Sequence, residues 1–152
     1  MSETRLRPPR VDECARLTAL CLRSKAHWGY DTAFMEKCRD ELTVDAGTLA
    51  RHFTRLAERD GAIVGFVELS CGDDTCELEK LFVDPAAMAS GIGHMLFDAA
   101  RRHAQERGVS SIVIAADPDA AAFYERMGAR RVGEIASGSI PGRSLPRLIL
   151  QI

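Results

Sequence analysis

Apolar side chains recur along the first third of the chain at the spacing of α-helices. Residues 10–24 carry them three and four positions apart, which would place them on one stripe of a helix. The members of that stripe are Val11, Cys14, Ala15, Thr18, Cys21 and Leu22. A second helix is predicted after Asp31, a residue type that caps helix N-termini. Its inward side chains would be Phe34, Met35, Cys38 and Leu42. The preceding segment RLRPP predicts a short edge strand, which two prolines end.

From Phe53 the pattern changes to short apolar or alternating segments, which are typical of β-strands. Three such segments lie at 53–59, 62–70 and 76–83, and they are separated by Asp60-Gly61 and by a polar turn. Tight turns of this kind join antiparallel strands. The sequence therefore predicts a three-stranded antiparallel meander, which ends at Pro85.

Helices and strands alternate in the second half of the chain. Residues 91–107 are predicted to form a helix that stops at Gly108. Its inward residues would be Ile92, Met95, Leu96, Ala99 and Ala100. The apolar segment SSIVIAA then predicts a buried strand. Because a long helix joins two strands here, the connection is a βαβ crossover and the two strands run parallel. A helix at 119–127 and strands at about 130–135 and 144–151 complete the chain.

Length and composition limit the classes of protein that this chain can be. The 152 residues contain no internal repeat and no linker, which predicts one domain over residues 1–152. A net charge of −2 without a basic stripe argues against nucleic acid as a partner. Charges interrupt every apolar stretch before the ~18 residues of a membrane span, and the first ten residues lack the apolar segment of a signal peptide. We therefore expect a cytoplasmic protein with no membrane partner.

The five cysteines contain no CxxC pair, which predicts scattered thiols rather than a disulfide framework or a metal site. Cys71 and Cys76 flank a turn, so an antiparallel hairpin would let them approach each other. A reducing cytosol opposes a stable bond between them. We expect both to be structural thiols and no metal to be bound.

The segment Ser90-Gly91-Ile92-Gly93-His94 opens the long predicted helix directly after a strand. Two glycines at a helix start leave backbone N–H groups uncovered, and the positive end of the helix dipole can then hold a pyrophosphate. The segment lacks the lysine of GxxxxGK and the third glycine of the dinucleotide motif. These absences argue against a nucleoside triphosphatase and against a dinucleotide-binding fold.

A second motif, from Asp117 to Gly128, reads DPDAAAFYERMG. The two motifs, at this separation and after a three-stranded meander, resemble the coenzyme A signatures of the GNAT superfamily of N-acyltransferases. The family pattern [Q/R]xxGx[G/A] begins one helix, and the pattern NxxAxxxYxxxG lies in the other. In this chain Met88 stands at the Gln/Arg position and Asp117 at the Asn position.

The resemblance implies a mixed α/β (α+β) fold, with a mostly antiparallel seven-stranded sheet, splayed parallel central strands and four flanking helices. It also implies acetyl-CoA as the co-substrate. Leu81, Phe82 and Val83 would pair with its pantetheine arm. The pyrophosphate would lie against Ala89, Ser90, Gly91, Ile92, Gly93 and His94, although a solvated His94 is the alternative for that side chain. The second motif would contribute cofactor contacts from Asp117, Ala120, Phe123 and Tyr124.

The resemblance further implies that Tyr124 is the general acid for the departing thiolate. Removing a proton from an amine with a pKa of about 10.4 at neutral pH costs roughly 4 to 5 kcal/mol, so a base is expected. Glu77 and Glu79 lie two positions apart on a strand and therefore share a face. Glu77, 11 residues before Met88, is the first choice and Glu79 nearly equal. A chain of water molecules is the alternative to either carboxylate.

The acceptor site would be lined by the segment between the first two helices and by residues 137–143. Trp28 and Tyr30 offer ring faces for a cationic amine, whereas Arg143 offers a partner for a carboxylate. For Trp28 taken alone, the alternative role of a packed apolar anchor is the first choice.

The predicted function is N-acetyl transfer to a primary amine of a small molecule or peptide, by direct attack in a ternary complex. A non-catalytic acyl-CoA sensor is the alternative from another class. An enzyme that acetylates charged transfer RNA is disfavoured by the acidic composition. The sequence leaves the oligomeric state open between a monomer and a homodimer, and the last hairpin offers an edge through which many relatives pair.

Overall fold

The computed structural model describes residues 3–152, which contain one seven-stranded sheet. The strands are β1 (Thr4–Arg7), β2 (Phe53–Arg59), β3 (Ala62–Cys71), β4 (Thr75–Val83), β5 (Ser111–Ala115), β6 (Arg130–Ala136) and β7 (Ser144–Gln151). Their order across the sheet is β1-β2-β3-β4-β5-β7-β6. Every neighbouring pair is antiparallel except β4 and β5. The predicted meander and the one parallel pair are thereby confirmed.

Five α-helices flank the sheet, one more than predicted. They are α1 (Cys14–Ala26), α2 (Thr32–Leu42), α3 (Ala46–Arg51), α4 (Ile92–Arg107) and α5 (Ala121–Arg126). Asp45 caps the unpredicted α3 by accepting a hydrogen bond from the Thr48 amide. With six residues, α3 is too short to carry a recognisable apolar period. No helix among residues 3–152 is long and apolar enough to cross a membrane.

The parallel strands separate halfway along their length. Pairing between β4 and β5 runs from Thr75 opposite Ser111 to Leu78 opposite Ile114. Beyond that point β4 pairs only with β3, as far as Val83. The separation begins at a bulge, because Leu78 and Lys80 pair with consecutive residues of β3 and leave Glu79 as the extra residue. The predicted splay is therefore present, and it opens a cleft in the middle of the sheet.

Apolar side chains form one core on each face of the sheet. In α1 the buried residues are Leu17, Leu20, Cys21 and Ser24. Of the predicted stripe, Cys21 is buried and Cys14 and Leu22 pack against the same core, whereas Val11 is 64% exposed. Val11 belongs to a 3-10 turn at Val11–Glu13, whose tighter winding breaks the 3.6-residue phase before the α-helix begins. In α4 the predicted Met95 is also exposed, and Phe97 packs inward instead.

The cysteines differ from the prediction at one pair. Cys71 and Cys76 lie directly opposite each other on β3 and β4, with Cα atoms 4.0 Å apart, and form a disulfide. The expectation of two unbonded thiols is therefore wrong for this pair. Cys14, Cys21 and Cys38 are free, and the last two are buried in the core.

A buried ion pair fixes β1 to the start of α1. Arg7 donates two hydrogen bonds to Glu13, from Nη1 and Nη2, at 2.9 and 2.8 Å. Glu13 is 1% exposed and also accepts from the Arg10 amide at 2.8 Å. The hydrogen bonds from Arg7, opposed by burial and assisted by that amide, lower the pKa of Glu13 to about 2. The carboxylate is thus ionised in the folded protein at any ordinary pH.

We expect Glu13→Gln to lower the free energy of unfolding by about 2 kcal/mol at neutral pH, because charge-assisted hydrogen bonds to Arg7 are lost. A lowered folded-state pKa stabilises the fold above the ordinary carboxyl value, and this contribution disappears as the pH falls towards about 2. Urea unfolding of both proteins should therefore show a difference that shrinks in acid. Asp12→Asn, at an exposed carboxylate that pairs with Arg10, is the control and should change stability by less than about 0.5 kcal/mol. A constant difference across the pH range would contradict the assignment.

Candidate active site

The cleft between the separated strands is the mouth of a cavity of about 550 Å³. We refer to two groups of lining residues as the ends of the cavity. One group comes from the last residues of β4, the start of α4 and α5, and the other from α1, the loop after it and residues 137–143. The lining includes these predicted site residues: Trp28, Glu79, Leu81, Phe82, Val83, Ala89, Gly91, Ile92, Gly93, His94, Asp117, Ala120, Phe123, Tyr124 and Arg143. Glu77, Ser90 and Tyr30 are not among the lining residues.

The end of β4 presents an open strand edge to the cavity. Leu81, Phe82 and Val83 pair with β3 on one side, and the splay removes β5 from the other. Main-chain N–H and C=O groups on that side therefore lack the strand partners they would have in a continuous sheet. An extended polar ligand can satisfy these groups by lying in the place of a strand.

The start of α4 presents uncapped amides to the same cavity. Gly91 is the N-cap, with a left-handed φ of 83°, and no side chain caps the helix. Ala89, two residues earlier, is also left-handed, with a φ of 64°. Gly93 lies so close to α5 that an added Cβ would be 3.4 Å from the Phe123 ring. Backbone N–H groups arranged in this way form an anion site at the positive end of a helix.

Ser90 lies inside this loop and does not line the cavity. Its hydroxyl donates a hydrogen bond to the carbonyl of Ala87, so its side chain stabilises the turn. The cofactor contact predicted for Ser90 is one of the backbone of residues 89–94, so it does not depend on this side chain and stays a prediction.

Tyr124 lies on α5, where its ring packs between Phe97 and Phe123 at centroid distances of 5.6 and 5.2 Å. It is 6% exposed, and its hydroxyl has no hydrogen-bond partner among residues 3–152. Burial, and then the negative charge of Asp117, raise the pKa of the phenol above its ordinary value. The group is therefore protonated at neutral pH and can donate a hydrogen bond but cannot act as a base.

The two candidate bases differ in their relation to the cavity. Glu79, the bulged residue of β4, lines it and accepts a hydrogen bond from the Ser70 hydroxyl at 3.3 Å. Partial burial, and then the charges of Glu77 and Glu68, raise the pKa of Glu79. Both side chains are exposed to solvent, but Glu77 lies outside the cavity wall. The bulge therefore favours Glu79 over Glu77, in the reverse of the sequence-based order.

The predicted acceptor residues occupy different positions from those expected. Trp28 lines the cavity but is 47% exposed, so its alternative role as a packed anchor is wrong. Tyr30 lies behind the wall, where its hydroxyl donates to the carboxylate of Asp117 at 2.8 Å. Arg143, which lines the cavity, donates to the same hydroxyl at 2.9 Å.

Asp117 links the two ends of the cavity. Besides Tyr30, it accepts from Lys25 at 3.3 Å and from the Asp119 amide at 3.2 Å, and Arg143 lies 3.6 Å away. Burial raises the pKa of Asp117, but the hydrogen bonds from Tyr30 and the Asp119 amide, with the charge of Lys25, outweigh it and lower the pKa overall. The carboxylate that stands at the family's asparagine position is thus ionised and satisfied by protein groups.

Two groups of residues were not predicted from the sequence. Lys25 joins Asp117 across 92 positions of the chain. Lys80, buried beside Glu68 at 2.8 Å, lines the cavity, and His52 lies 2.6 Å from the other oxygen of Glu68. A lysine and a glutamate at inward positions of adjacent strands are a signal that register-based reasoning could have used. Lys25 offers no comparable local signal.

Comparison with known proteins agrees with this geometry. A model of the acetyltransferase (GNAT) family matches residues 17–129. The chain therefore belongs to that family, which consists of acetyl-CoA-dependent acyltransferases. The match spans both motifs and most of the residues that line the cavity, but not the lining residues Ser137, Ser139, Arg143 and Leu145.

Individual relatives share between 16% and 33% of their aligned residues with this chain. The mycothiol acetyltransferase of Streptomyces avermitilis is 33% identical over 78 residues, which cover 48% of this chain and a quarter (25%) of that protein. Among solved structures, a GCN5-related N-acetyltransferase from Rhodopseudomonas palustris has a TM-score of 0.82 at 24% identity, covering 97% of this chain and 95% of the other. The PaiA N-acetyltransferase of Thermoplasma acidophilum, solved with coenzyme A, has a TM-score of 0.82 at 16% identity and 99% coverage of both chains. The two structural likenesses establish the shared fold.

Proposed function

We propose that this chain transfers the acetyl group of acetyl-CoA to a primary amine of a small molecule or peptide, within a direct ternary complex. One observation carries the proposal: three features converge on a single cavity. These are the open β4 edge at residues 81–83, the uncapped amides after Gly91 and the unpartnered hydroxyl of Tyr124. Each is complementary to a different part of a thioester cofactor.

Acetyl-CoA occupies the cavity in a defined direction. Its pantetheine arm pairs with β4, and its pyrophosphate lies against the first amides of α4. A main-chain N–H at the β4 edge faces the acetyl carbonyl and stabilises the negative charge that develops there, an effect commonly worth about 3 kcal/mol. Family membership and the neighbour solved with coenzyme A support this placement.

The reaction exchanges one C–S bond for one C–N bond. The neutral amine attacks the acetyl carbon, and the thiolate of coenzyme A leaves. Glu79 takes the proton that the amine loses, directly or through water, and Tyr124 gives its proton to the thiolate sulfur. Because the thiolate itself becomes protonated near pH 8.5, a protonated phenol assists its departure at neutral pH.

We expect Glu79→Gln to lower kcat/KM by about 100-fold at pH values above the pKa of Glu79 and well below that of the amine. The loss should shrink as the pH rises, because the free amine then needs no base. The raised pKa of Glu79 makes the protonated, inactive carboxyl persist to higher pH than usual, so wild-type activity should rise with pH through that range. Coenzyme A affinity, measured by calorimetry, should stay the same.

Glu77→Gln is the matched control for this experiment. It should leave the plateau rate within about threefold, since Glu77 does not line the cavity. It also removes a negative charge that raises the pKa of Glu79, so the rising limb of the pH profile should move to lower pH. Full activity of both variants at every pH would mean that a chain of water molecules, rather than a carboxylate, takes the proton from the amine.

The function itself is tested by incubating the protein and acetyl-CoA with a panel of amines and measuring thiol release and product mass. We expect acetylated product from at least one amine, with no acetylation of the protein itself as an intermediate. Tight binding of acetyl-CoA without transfer to any amine would favour the acyl-CoA sensor.

A further inference from the structure

Five side chains form a cluster at the cavity: Lys25, Asp117 and Arg143 line it, whereas Tyr30 and Phe34 pack against these three without lining it. We propose that this cluster selects an acceptor that bears a carboxylate beside its amine, as an amino acid does. Lys25 and Arg143 bind the carboxylate, while the amine lies towards Glu79. The inference rests on the acetyl transfer proposed above and names the class of its acceptor.

The aromatic faces of the cluster are already occupied. Tyr30 and Phe34 stack with centroids 4.1 Å apart, so each ring covers one face of the other. Arg143 lies over both rings, at 5.2 and 4.8 Å from their centroids. Lys25 lies 5.4 Å from the Tyr30 ring. Since Lys25 and Arg143 already make cation–π contacts with these rings, the rings are not a site for a cationic acceptor.

The charges of the cluster do not cancel. Lys25 and Arg143 are two cations, and Asp117 is the single anion that they share. Tyr30 adds no charge, because burial and then its hydrogen bond to Asp117 raise the pKa of its hydroxyl to about 12. One positive charge is thus left over on a wall that is only partly exposed, with 16% of the Lys25 side chain and 19% of the Arg143 side chain accessible. A ligand anion would balance it.

Arg143 retains donors for such an anion. Its Nη2 serves Tyr30 and Asp117, whereas Nε and Nη1 have no hydrogen-bond partner in residues 3–152. The backbone of Arg143 is fixed in the hairpin by hydrogen bonds with Ser137 at 2.7 Å and Ile140 at 3.2 Å. A guanidinium that is held in place and has free N–H groups is suited to a carboxylate, because little side-chain freedom is lost on binding.

The other walls of the cavity carry the opposite charge. Glu79 lies on β4, and Glu41 lines the cavity from α2, whereas Lys25 belongs to α1 and Arg143 to the loop before β7. Lys80 adds no net charge, because the buried Glu68 pairs with it at 2.8 Å. A molecule with an ammonium at one end and a carboxylate at the other matches this separation, with its amine beside the group that takes its proton.

The test compares each of the twenty free amino acids with its own carboxamide, which keeps the amine and removes the charge. Two quantities are measured: kcat/KM from thiol release, and equilibrium binding in the presence of coenzyme A from the fluorescence of Trp28, the single tryptophan, which lines the cavity. Both are repeated for Arg143→Gln and for the control Arg147→Gln, at an exposed arginine of β7 outside the cavity.

We expect the best acid to exceed its amide by at least about tenfold in the parent and in Arg147→Gln, and the ratio to fall to about one in Arg143→Gln. A merely structural role of Arg143 would lower both members of a pair equally and leave the ratio unchanged. An unchanged ratio, or equal use of amides and acids by the parent, would overturn the inference while leaving acetyl transfer intact. Binding with the expected ratio but no transfer to any amine would support the carboxylate site and overturn the proposed function instead.

Discussion

Replacing Gly91 with leucine is expected to weaken coenzyme A binding by more than about 100-fold while the protein still folds. Gly91 is the N-cap of α4, and a Cβ built there meets no protein atom within 4 Å. The added side chain therefore enters the space that we propose for the pyrophosphate. Titration calorimetry with coenzyme A gives the affinity directly.

Gly108→Leu is the matched control, because Gly108 caps the other end of the same helix. Its φ is 73°, close to the 83° of Gly91, and it too has nothing within 4 Å of an added Cβ. In both variants the leucine must adopt a left-handed backbone conformation, which costs about 1 to 2 kcal/mol. The two variants should therefore lose similar thermal stability. Only Gly91→Leu should lose affinity. Equal affinities in the two variants would place the pyrophosphate elsewhere.

Tyr124→Phe is expected to lower kcat by about 100-fold, because the departing thiolate loses its proton donor. The ring and its packing against Phe97 and Phe123 are retained. Since the hydroxyl has no partner among residues 3–152, its removal should leave the melting temperature unchanged. The dissociation constant of acetyl-CoA should stay within about twofold. A variant that transfers acetyl groups as fast as its parent would reduce Tyr124 to a packing residue.

The sequence was most informative where local chemistry decides the structure. Gly91 and Gly108 bound α4 because each adopts a left-handed conformation at one end of the helix, and both ends were predicted. The strands of the meander were predicted because short turns join them, so that the pairing partners are close in the chain. The coenzyme A end of the cavity is built from these elements. The residues that line the cavity from these elements could therefore be named in advance, and their contacts with coenzyme A stay a prediction.

The acceptor end could not be predicted to the same depth because it depends on contacts between distant residues. Tyr30 and Asp117 are separated by 87 positions, and Tyr30 and Arg143 by 113. The sequence offered Tyr30 and Arg143 as alternatives that favour opposite kinds of acceptor. In the folded chain Arg143 donates a hydrogen bond to the Tyr30 hydroxyl and lies over the Tyr30 ring. The ring is therefore not available to a cationic acceptor.

The preference for Glu79 over Glu77 as the base depends on the register of β4 against β3, which the residue types alone do not reveal. An uninterrupted strand places Glu77 and Glu79 on the same face, which leaves them equivalent. The bulge between Leu78 and Lys80 breaks that equivalence and leaves Glu79 at the point where β4 separates from β5. A bulge of one residue has no reliable signature in a single sequence.

Acetyl transfer through this cavity is tested most directly by following an isotope-labelled acetyl group from acetyl-CoA in a single turnover. With enzyme in excess over labelled acetyl-CoA and a saturating amine acceptor, product mass spectrometry reports where the label goes. The account predicts that the parent and Gly108→Leu place the label on the amine nitrogen, that Tyr124→Phe does so about 100-fold more slowly, and that Gly91→Leu yields no labelled product at the same acetyl-CoA concentration. Label that stays on coenzyme A in the parent, or label that reaches the amine equally fast in all four proteins, would contradict it.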